Sequence, residues 1–599
     1  MKHISVRPLV TAQVSGNLSD LPVRNDACLP GGVAFCKPSS GAWVDVTNAE
    51  FLADVRAVAK GLMASGVGAG ECVAIMSKTR YEWAVTDFAI WTAGAVSVPI
   101  YETSSALQVA WIVKDSGCVA VVLETATHAG ILSEAQADLP GVRQVWQLDA
   151  GGLDALKAAG REMSDEAVEA RRHQVSRGDV ATIIYTSGTT GRPKGCQLTH
   201  DNFIALAENA TESMKMVVYA EGASTLLFLP LAHVFARFIQ VVCVQAGVRM
   251  GFTSDVKNLL ADFGTFSPTF ILSVPRVFEK IYNSAEQRAS SEGKGAIFRA
   301  AAVTAIAWSR AQSNGGPGPL LRARHGFFDR LVYRRLRDTM GGKVEYAVSG
   351  GAPLGPRLCH FFRGIGLTVL EGYGLTETTA PATLNTPDLI KIGTVGTPLP
   401  GVAVQIADDG EILIKGINIF TAYRNNARDT SAALVDEWFH TGDTGTLDDE
   451  GFLTITGRKK EILITAGGKN VVPAFLEDRL RSHPLVSQCI VVGDKKPFIG
   501  ALITLDAQML TAWAKNNGLA SLSLEDARSN DVVQAELARA VEDANKAVSK
   551  PESIRKFAVL AGDFTEENGY LTPSLKLKRN VVMKNYASEV EALYSVPRQ

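Results

Sequence analysis

Residues 185–195 read Tyr-Thr-Ser-Gly-Thr-Thr-Gly-Arg-Pro-Lys-Gly. Thr186, Ser187, Thr189 and Thr190 supply hydroxyl donors, and Lys194 adds a cation. Gly188, Gly191 and Gly195 let a backbone come close to a ligand. The run follows the apolar stretch TIIY, so it opens off the end of a strand, a place suited to polyphosphate. It is not a Walker A loop, because it has no Gly-Lys-Ser/Thr. Taken alone, it is either a phosphate loop or a flexible Ser/Thr/Gly surface loop.

The elements that must position it follow from hydrophobic periodicity. Residues 51–66 form an amphipathic helix closed by Gly66, and residues 81–94 form a second helical pattern. CVAIMS (72–77), VAVVLE (119–124), TIIYT (182–186), TLLFLP (225–230) and TFILSVP (269–275) are short apolar runs between helical segments. That alternation predicts parallel strands with crossovers, a layered α/β body. After about residue 395 the texture changes. VAVQIADDGEILIKG and GTLDDEGFLTITG are hairpin signatures and predict antiparallel strands. A further α+β segment runs from about residue 461 to the end, with the main boundary near Arg458–Lys460.

The chain as a whole narrows the options. With 599 residues it exceeds what one core serves, so several domains are expected. A net charge of −2 gives no field that gathers nucleic acid, and no nucleic-acid module is present. The eight cysteines form no CxxC pair and no cluster with histidine. They read as small buried apolar residues in a reducing cytoplasm, although the environment of Cys196, beside the glycine-rich run, stays open. There is no signal peptide and no apolar stretch of bilayer-spanning length. Peripheral attachment at the inner face of a membrane stays open. Residues 322–337 carry six arginines interleaved with Phe327, Phe328, Leu331 and Val332. They are either a solvated helix face or a basic amphipathic surface for anionic lipid.

YTSGTTGRPKG (185–195) resembles the phosphate-loop signature of the adenylate-forming (AMP-binding) superfamily. SGGAPL (349–354) resembles its adenine-contact loop, and EGYGLTETT (371–379) its next core motif. HTGDTGTLDDEGFLTITGRKKE (440–461) resembles its ribose-binding and hinge motifs, and LTPSLKLKR (571–579) the segment bearing its catalytic lysine. The motifs fall in the family's order and span about residues 40–595. The resemblance implies the adenylate-forming enzyme fold. That is a large N-terminal domain (1–457) of layered α/β subdomains with a β-rich subdomain at about 395–457, a hinge at 458–460 and a small mobile α+β domain (461–599).

Residue by residue, the resemblance implies that Lys576 drives adenylation, with Thr376 on the α-phosphate and Glu377 and Thr186 holding Mg²⁺. ATP or AMP would be bound by Thr186, Ser187, Gly188, Thr189, Thr190, Gly191 and Lys194. Gly350, Gly351, Ala352, Glu371, Gly372, Tyr373 and Gly374 would form its adenine side, and Asp443, Ile455 and Arg458 its ribose side. The chemistry suits these types: two anions must meet, so cations belong at the developing charge, and a carboxylate can accept from both ribose hydroxyls. Many relatives have glycine before the lysine, where this chain has Leu575; the long-chain branch tolerates a bulky residue there. Lys460 would be the pivot, and Gly467 and Gly468 would approach the pantetheine arm of coenzyme A.

LPLAHVFAR (229–237) places His233 where the family has a residue lining the acyl side, and VPRVFEKIY (274–282) resembles long-chain synthetases, with Phe278 either gating an acyl tunnel or packing in a core. The C-terminal run is similar to long-chain fatty acyl-CoA synthetases of the actinobacterial FadD type. The implied activity is fatty acid:CoA ligation through an acyl-adenylate, using ATP, Mg²⁺ and coenzyme A. Alternatives are an acyl-AMP ligase that serves a carrier protein, a luciferase-like oxidising enzyme, and an inactive adenylate-binding protein.

Overall fold

The computed structural model describes residues 2–11, 15–39, 41–136, 139–186, 192–255, 258–519, 522–572 and 577–595. It is mixed α/β, with a large N-terminal domain and a C-terminal domain.

Strands Cys72–Met76 and Val96–Ile100 are buried at every residue, as an unbroken apolar run with both faces covered requires. They pair in parallel with each other, and Cys118–Leu123 and Gln144–Gln147 extend the sheet on one side. On the other side Val180–Thr186 joins in parallel, then turns back as the antiparallel strand Lys194–Thr199, to which Ala422–Tyr423 pairs. The strands on either side of the glycine-rich run therefore pair with each other.

A second sheet sets Phe270–Ser273, Tyr346–Ser349 and Thr368–Leu375 in parallel, with Ala380–Leu384 and Thr397–Pro398 antiparallel at its edge. A third comprises Ser224–Leu227, Arg249–Phe252, Val33–Ser39 and Ala42–Thr47. TLLFLP and TFILSVP thus form strands, but shorter ones than their apolar runs: the second stops at Ser273 because Pro275 opens helix Pro275–Ser291. The helix expected over 51–66 begins earlier than its apolar pattern, at Asn48, where Thr47 and Glu50 close a capping box, and ends at Ala64.

The two predicted hairpins lie in a six-stranded sheet, Val402–Ile406 against Glu411–Gly416 and Trp438–Leu447 against Leu453–Arg458, which also takes up His3–Ser5. In the C-terminal domain, Val486–Val492 and Ile499–Leu505 are antiparallel and Ile554–Val559 adds in parallel. The largest core runs from Leu18 to Leu453, and the first core beyond it begins at Val471. Hydrogen bonds and ion pairs join the two domains: Arg276 to Asp506 at 3.4 Å, Gln287 to Asn516 at 3.0 Å, and Thr103 to Glu566.

Deep in the first core, the Arg237 guanidinium is fully buried against Asp87 and donates to Thr182. It ties helix Val234–Ala246 to the strand that leads into the glycine-rich run. Seven of the eight cysteines are buried, and Cys28, at the end of helix Asp20–Cys28, is exposed, against the expectation for all of them. Among the described residues no helix is long and apolar enough to cross a membrane.

Candidate active site

Thr186 ends its strand opposite Lys194. Ser187, Gly188, Thr189, Thr190 and Gly191 lie outside the described residues, as does Lys576. The Lys194 ammonium pairs with Asp429 at 2.5 Å and sits 5.1 Å from the centre of the Tyr423 ring. Tyr423 in turn donates its phenol to Glu377 Oε1 at 2.8 Å. Burial first, and then the Glu377 charge, push that phenol's pKa far above its ordinary value, so the proton stays on tyrosine. Neither Tyr423 nor Asp429 stood out in the sequence; their partners lie in other segments.

Glu377 is aimed by a pinned turn. Strand Thr368–Leu375 passes through the short 3-10 turn Thr376–Thr378 into Ala380–Leu384. Thr379 and Ala380 adopt φ of 53° and 83°, a conformation that side-chain-bearing residues hold only when their surroundings enforce it. Here Thr378 Oγ1 accepts from Leu375 N, Thr379 donates to Asn418 O, and Glu377 O accepts from Phe420 N at 2.9 Å. At Gly374 a Cβ would fall 1.6 Å from Ala380 O, so only glycine fits. Thr376, half-buried, shares the turn. The Cys196 thiol is buried nearby, and burial and Glu377 raise its pKa well above the ordinary range, which makes it an unreactive thiol.

The SGGAPL segment leaves strand Tyr346–Ser349 with Gly351 and Ala352 exposed and Leu354 buried as a plug. Glu371 Oε1 accepts from Leu354 N at 2.9 Å, and Cys359 Sγ reaches Oε2 at 3.2 Å. Glu371 is thus buried beneath the loop as its anchor; burial raises its pKa. A Cβ on Gly350 would meet Gly372 O at 3.8 Å and the Phe235 ring at 3.8 Å, and one on Gly351 would meet Val274 at 3.9 Å. The loop, the Gly372-Tyr373-Gly374 segment and the start of helix Val234–Ala246 therefore converge. Phe235 belongs to this wall, and its nearness to the loop could not be read from its place in an apolar helix.

Asp443 and Arg458 face each other across a strand pair. Asp443 is buried; its Oδ1 accepts from Arg458 Nε at 2.9 Å and its Oδ2 from the Tyr373 phenol at 2.7 Å. Burial and that carboxylate raise the phenol's pKa well above normal. Ile455 lies half-buried on the Arg458 strand. Lys460 is exposed in the turn Lys459–Glu461, while its neighbour Lys459 pairs with Asp409 at 2.6 Å and Glu411 at 2.9 Å.

His233 caps helix Val234–Ala246, its Nδ1 accepting from Phe235 N at 3.1 Å. Phe278 is fully buried, edge-on to Phe362 at 5.5 Å. Gly467 and Gly468 are exposed in the turn of a two-stranded hairpin; Gly468 has φ of 76°, and nothing lies within 4 Å of where its Cβ would stand. The Glu377 carboxylate is of the type that takes a small hard cation together with phosphate oxygens. Glu377 Oε1 is engaged only by a neutral phenol in the described contacts, and Mg²⁺ at such sites uses one or two carboxylates plus substrate oxygens.

The chain resembles known proteins in sequence and in fold. The family model described as AMP-binding enzyme matches residues 24–424, and that of the AMP-binding enzyme C-terminal domain matches residues 460–597. The long-chain-fatty-acid–CoA ligase FadD15 of Mycobacterium bovis is 51% identical over 599 residues, covering 99% of this chain and 100% of the relative. The long-chain-fatty-acid–CoA ligase 6 of Mus musculus is 31% identical over 88% of this chain and 79% of its own. In fold, the crystal structure of the anthranilate CoA ligase AuaEII with anthranoyl-AMP aligns at a TM-score of 0.75 with 18% identity, covering 97% of this chain and 99% of that one. The o-succinylbenzoate CoA synthetase of Bacillus subtilis with ATP and magnesium aligns at 0.67 with 23% identity, covering 94% and 98%. From its motifs, its site and these likenesses, the chain belongs to the AMP-binding enzyme family.

Proposed function

We propose that this protein is an ATP-dependent long-chain fatty acid:CoA ligase. The observation that carries the reading is the full-length likeness to the mycobacterial FadD15 ligases, laid over a site whose donors and acceptors suit an acyl-adenylate. In the first step a carboxylate oxygen attacks the α-phosphorus of ATP and pyrophosphate leaves. In the second the coenzyme A sulfur attacks the acyl carbon, the thiol proton is lost, and AMP leaves.

The residues divide this work. Gly350, Gly351 and Ala352 with Gly372, Tyr373 and Gly374 line the adenine, over the Glu371 anchor. Asp443 accepts from the ribose hydroxyls once Tyr373 and Arg458 shift off it, and Ile455 backs the sugar. Lys194 and residues 186–191 hold the leaving phosphates, Thr376 donates to the α-phosphate, and Lys576 neutralises the charge that builds there. Glu377 and Thr186 would hold Mg²⁺, which would screen the phosphate charge. The acyl chain enters on the side of His233 and Phe278, and pantetheine passes Gly467 and Gly468.

We assign residues 1–457 and 461–599 to two domains hinged at 458–460. The break between cores supports a C-terminal domain that swings about Lys460 between the two steps, exchanging ion pairs such as Arg276–Asp506. The unpaired buried cysteines suit the cytoplasm, and peripheral attachment at the inner face of a membrane belongs to this reading.

Pyrophosphate release from ATP, Mg²⁺ and palmitate, with and without coenzyme A, tests the function. Palmitoyl-CoA formed only with coenzyme A, and adenylation lost in Lys576→Ala and Asp443→Ala, is the expected result. Adenylate that accumulates whether or not coenzyme A is present would move the assignment to an acyl-AMP ligase.

A further inference from the structure

Helix Pro275–Ser291 faces two ways. Inward, Phe278 and Tyr282 are buried and meet the rings of Phe362 and Phe361 edge-on, at 5.5 and 4.8 Å between centres. Outward, Arg276 and Gln287 lie about three turns apart, so they share one side of the helix. That side meets the C-terminal domain. Arg276 Nη2 stands 3.4 Å from Asp506 Oδ2, and Gln287 Oε1 accepts from Asn516 Nδ2 at 3.0 Å. Asp506 caps the start of helix Ala507–Asn516, and Asn516 ends it. The two helices therefore lie side by side and run the same way, tied at both ends over about 15 Å.

Both members of the ion pair are held ready. Asp506 Oδ1 accepts from Gln508 N and Met509 N, each at 3.0 Å, which leaves Oδ2 to Arg276. Arg276 is steadied by Glu279, one turn on, at 3.4 Å. Glu279 is buried, and its charge is felt beyond the boundary: burial pushes the Asp478 carboxyl up, Arg481 opposes the push, and Glu477 and Glu279 add to it. Each tie has one member on either side of the 458–460 segment, so a swing there must part them. The same arrangement brings Glu566, ten residues before Lys576, to Thr103 beyond strand Val96–Ile100, and it leaves the Gly467–Gly468 turn in the open.

We propose that Arg276 with Asp506, and Gln287 with Asn516, form a latch that holds the C-terminal domain in the arrangement that makes the acyl-adenylate and parts before the acyl group passes to coenzyme A. Which step each arrangement serves rests on the ligase reading; the latch itself rests on the paired contacts. An ion pair this accessible to water shifts an equilibrium by about two- to fivefold. That is enough to favour one arrangement and weak enough to release it in every turnover, which a broad apolar seam would not allow.

Arg276→Gln, Asp506→Asn and the double variant, made in the full-length protein, test the latch. Asparagine keeps the helix cap that Asp506 provides and removes its charge, so Asp506→Asn should melt with the parent protein. The first step is read as ATP–pyrophosphate exchange with palmitate and no coenzyme A, the second as transfer from purified palmitoyl-AMP to coenzyme A. Each single variant should slow the first step about two- to fivefold and leave the second equal or faster. The double variant should be no slower than Arg276→Gln alone, because each residue acts through the other. Trypsin should cut after the exposed Lys460 faster in each variant than in the parent. Equal slowing of both steps, additive losses in the double variant, or cleavage after Lys460 at the parent's rate overturns the proposal. A parent protein that activates no palmitate, with cleavage still faster in the variants, would count against the ligase reading and support the latch.

Discussion

The Tyr423 phenol donates to Glu377 Oε1 at 2.8 Å while the same ring lies beneath the Lys194 ammonium. One aromatic side chain thus holds the carboxylate assigned to the metal and stands against the cation assigned to phosphate. In Tyr423→Phe the cation contact survives and the hydrogen bond does not. A hydrogen bond to a charged group contributes about 1.5–3 kcal/mol, so we expect the first step to slow about tenfold or more. Because the loss falls on the orientation of Glu377, more Mg²⁺ should be needed for half-maximal rate. ATP–pyrophosphate exchange measured across a Mg²⁺ titration reads both. An unchanged Mg²⁺ dependence would reduce Tyr423 to a packing residue.

Lys194 spends its charge on Asp429 in this arrangement, at 2.5 Å, with both side chains about one-third exposed. The pair holds the Asp429 carboxyl below its usual range, chiefly through the hydrogen bond from Lys194. Exposed pairs of this kind contribute at most about 1 kcal/mol to stability. Asp429→Asn should therefore melt close to the parent protein while freeing Lys194 for phosphate, and KM for ATP should fall two- to threefold by rough expectation. Lys194→Met should raise it. A rise in both variants would show that Asp429 orients Lys194 and does not compete with phosphate for it.

Glu371 serves the adenine loop from below, through Leu354 N. Glu371→Gln keeps an oxygen to accept that bond, and Glu371→Ala leaves a buried N–H without a partner, a cost of about 1–3 kcal/mol. Adenylation by the Gln variant should keep a KM for ATP close to that of the parent, whereas the Ala variant should lose affinity and melt earlier. Equal KM values for the two variants would remove the anchoring role.

What the sequence made readable, and what it hid, follows from chain distance. CVAIMS and TIIYT were plain strands because burial on both faces leaves an apolar run that local pattern detects. Glu377, Asp443 and Arg458 stood out because each lies in a compact motif whose residue types match its chemistry. Phe235, Tyr423 and the Asp87–Arg237 pair did not. Their partners lie on other elements, 46 residues away for Tyr423 and 150 for Arg237, and no local pattern encodes such a meeting. The same limit explains Glu371. A glutamate within a nucleotide motif reads as a ligand contact, and only the fold shows its carboxylate turned inward to Leu354. The antiparallel pairing of Val180–Thr186 with Lys194–Thr199 was hidden for another reason. Glycine and hydroxyl residues report a loop that can approach phosphate, but not whether a helix or a strand follows.

His200 makes the fold itself sensitive to acid. It is buried beside Trp91, and its Nδ1 accepts from Leu18 N at 3.2 Å, which requires an unprotonated nitrogen. Burial pushes its pKa down from 6.5 to about 3; Asp179 opposes the shift and Arg237 adds to it. The folded pKa lies below the unfolded one, so between those values the unfolded chain binds the extra proton. The stabilisation is complete above about pH 6.5 and drains away as the pH falls toward 3. At pH 5 that is a loss of about 2 kcal/mol relative to neutral pH, at about 1.4 kcal/mol per pH unit. His200→Asn keeps an acceptor near the Nδ1 position and does not titrate. Melting temperatures at pH 7.5 and pH 5 should therefore differ less in this variant than in the parent protein, even if its midpoint at neutral pH is lower. An identical drop in both would assign the acid sensitivity to the carboxylates instead.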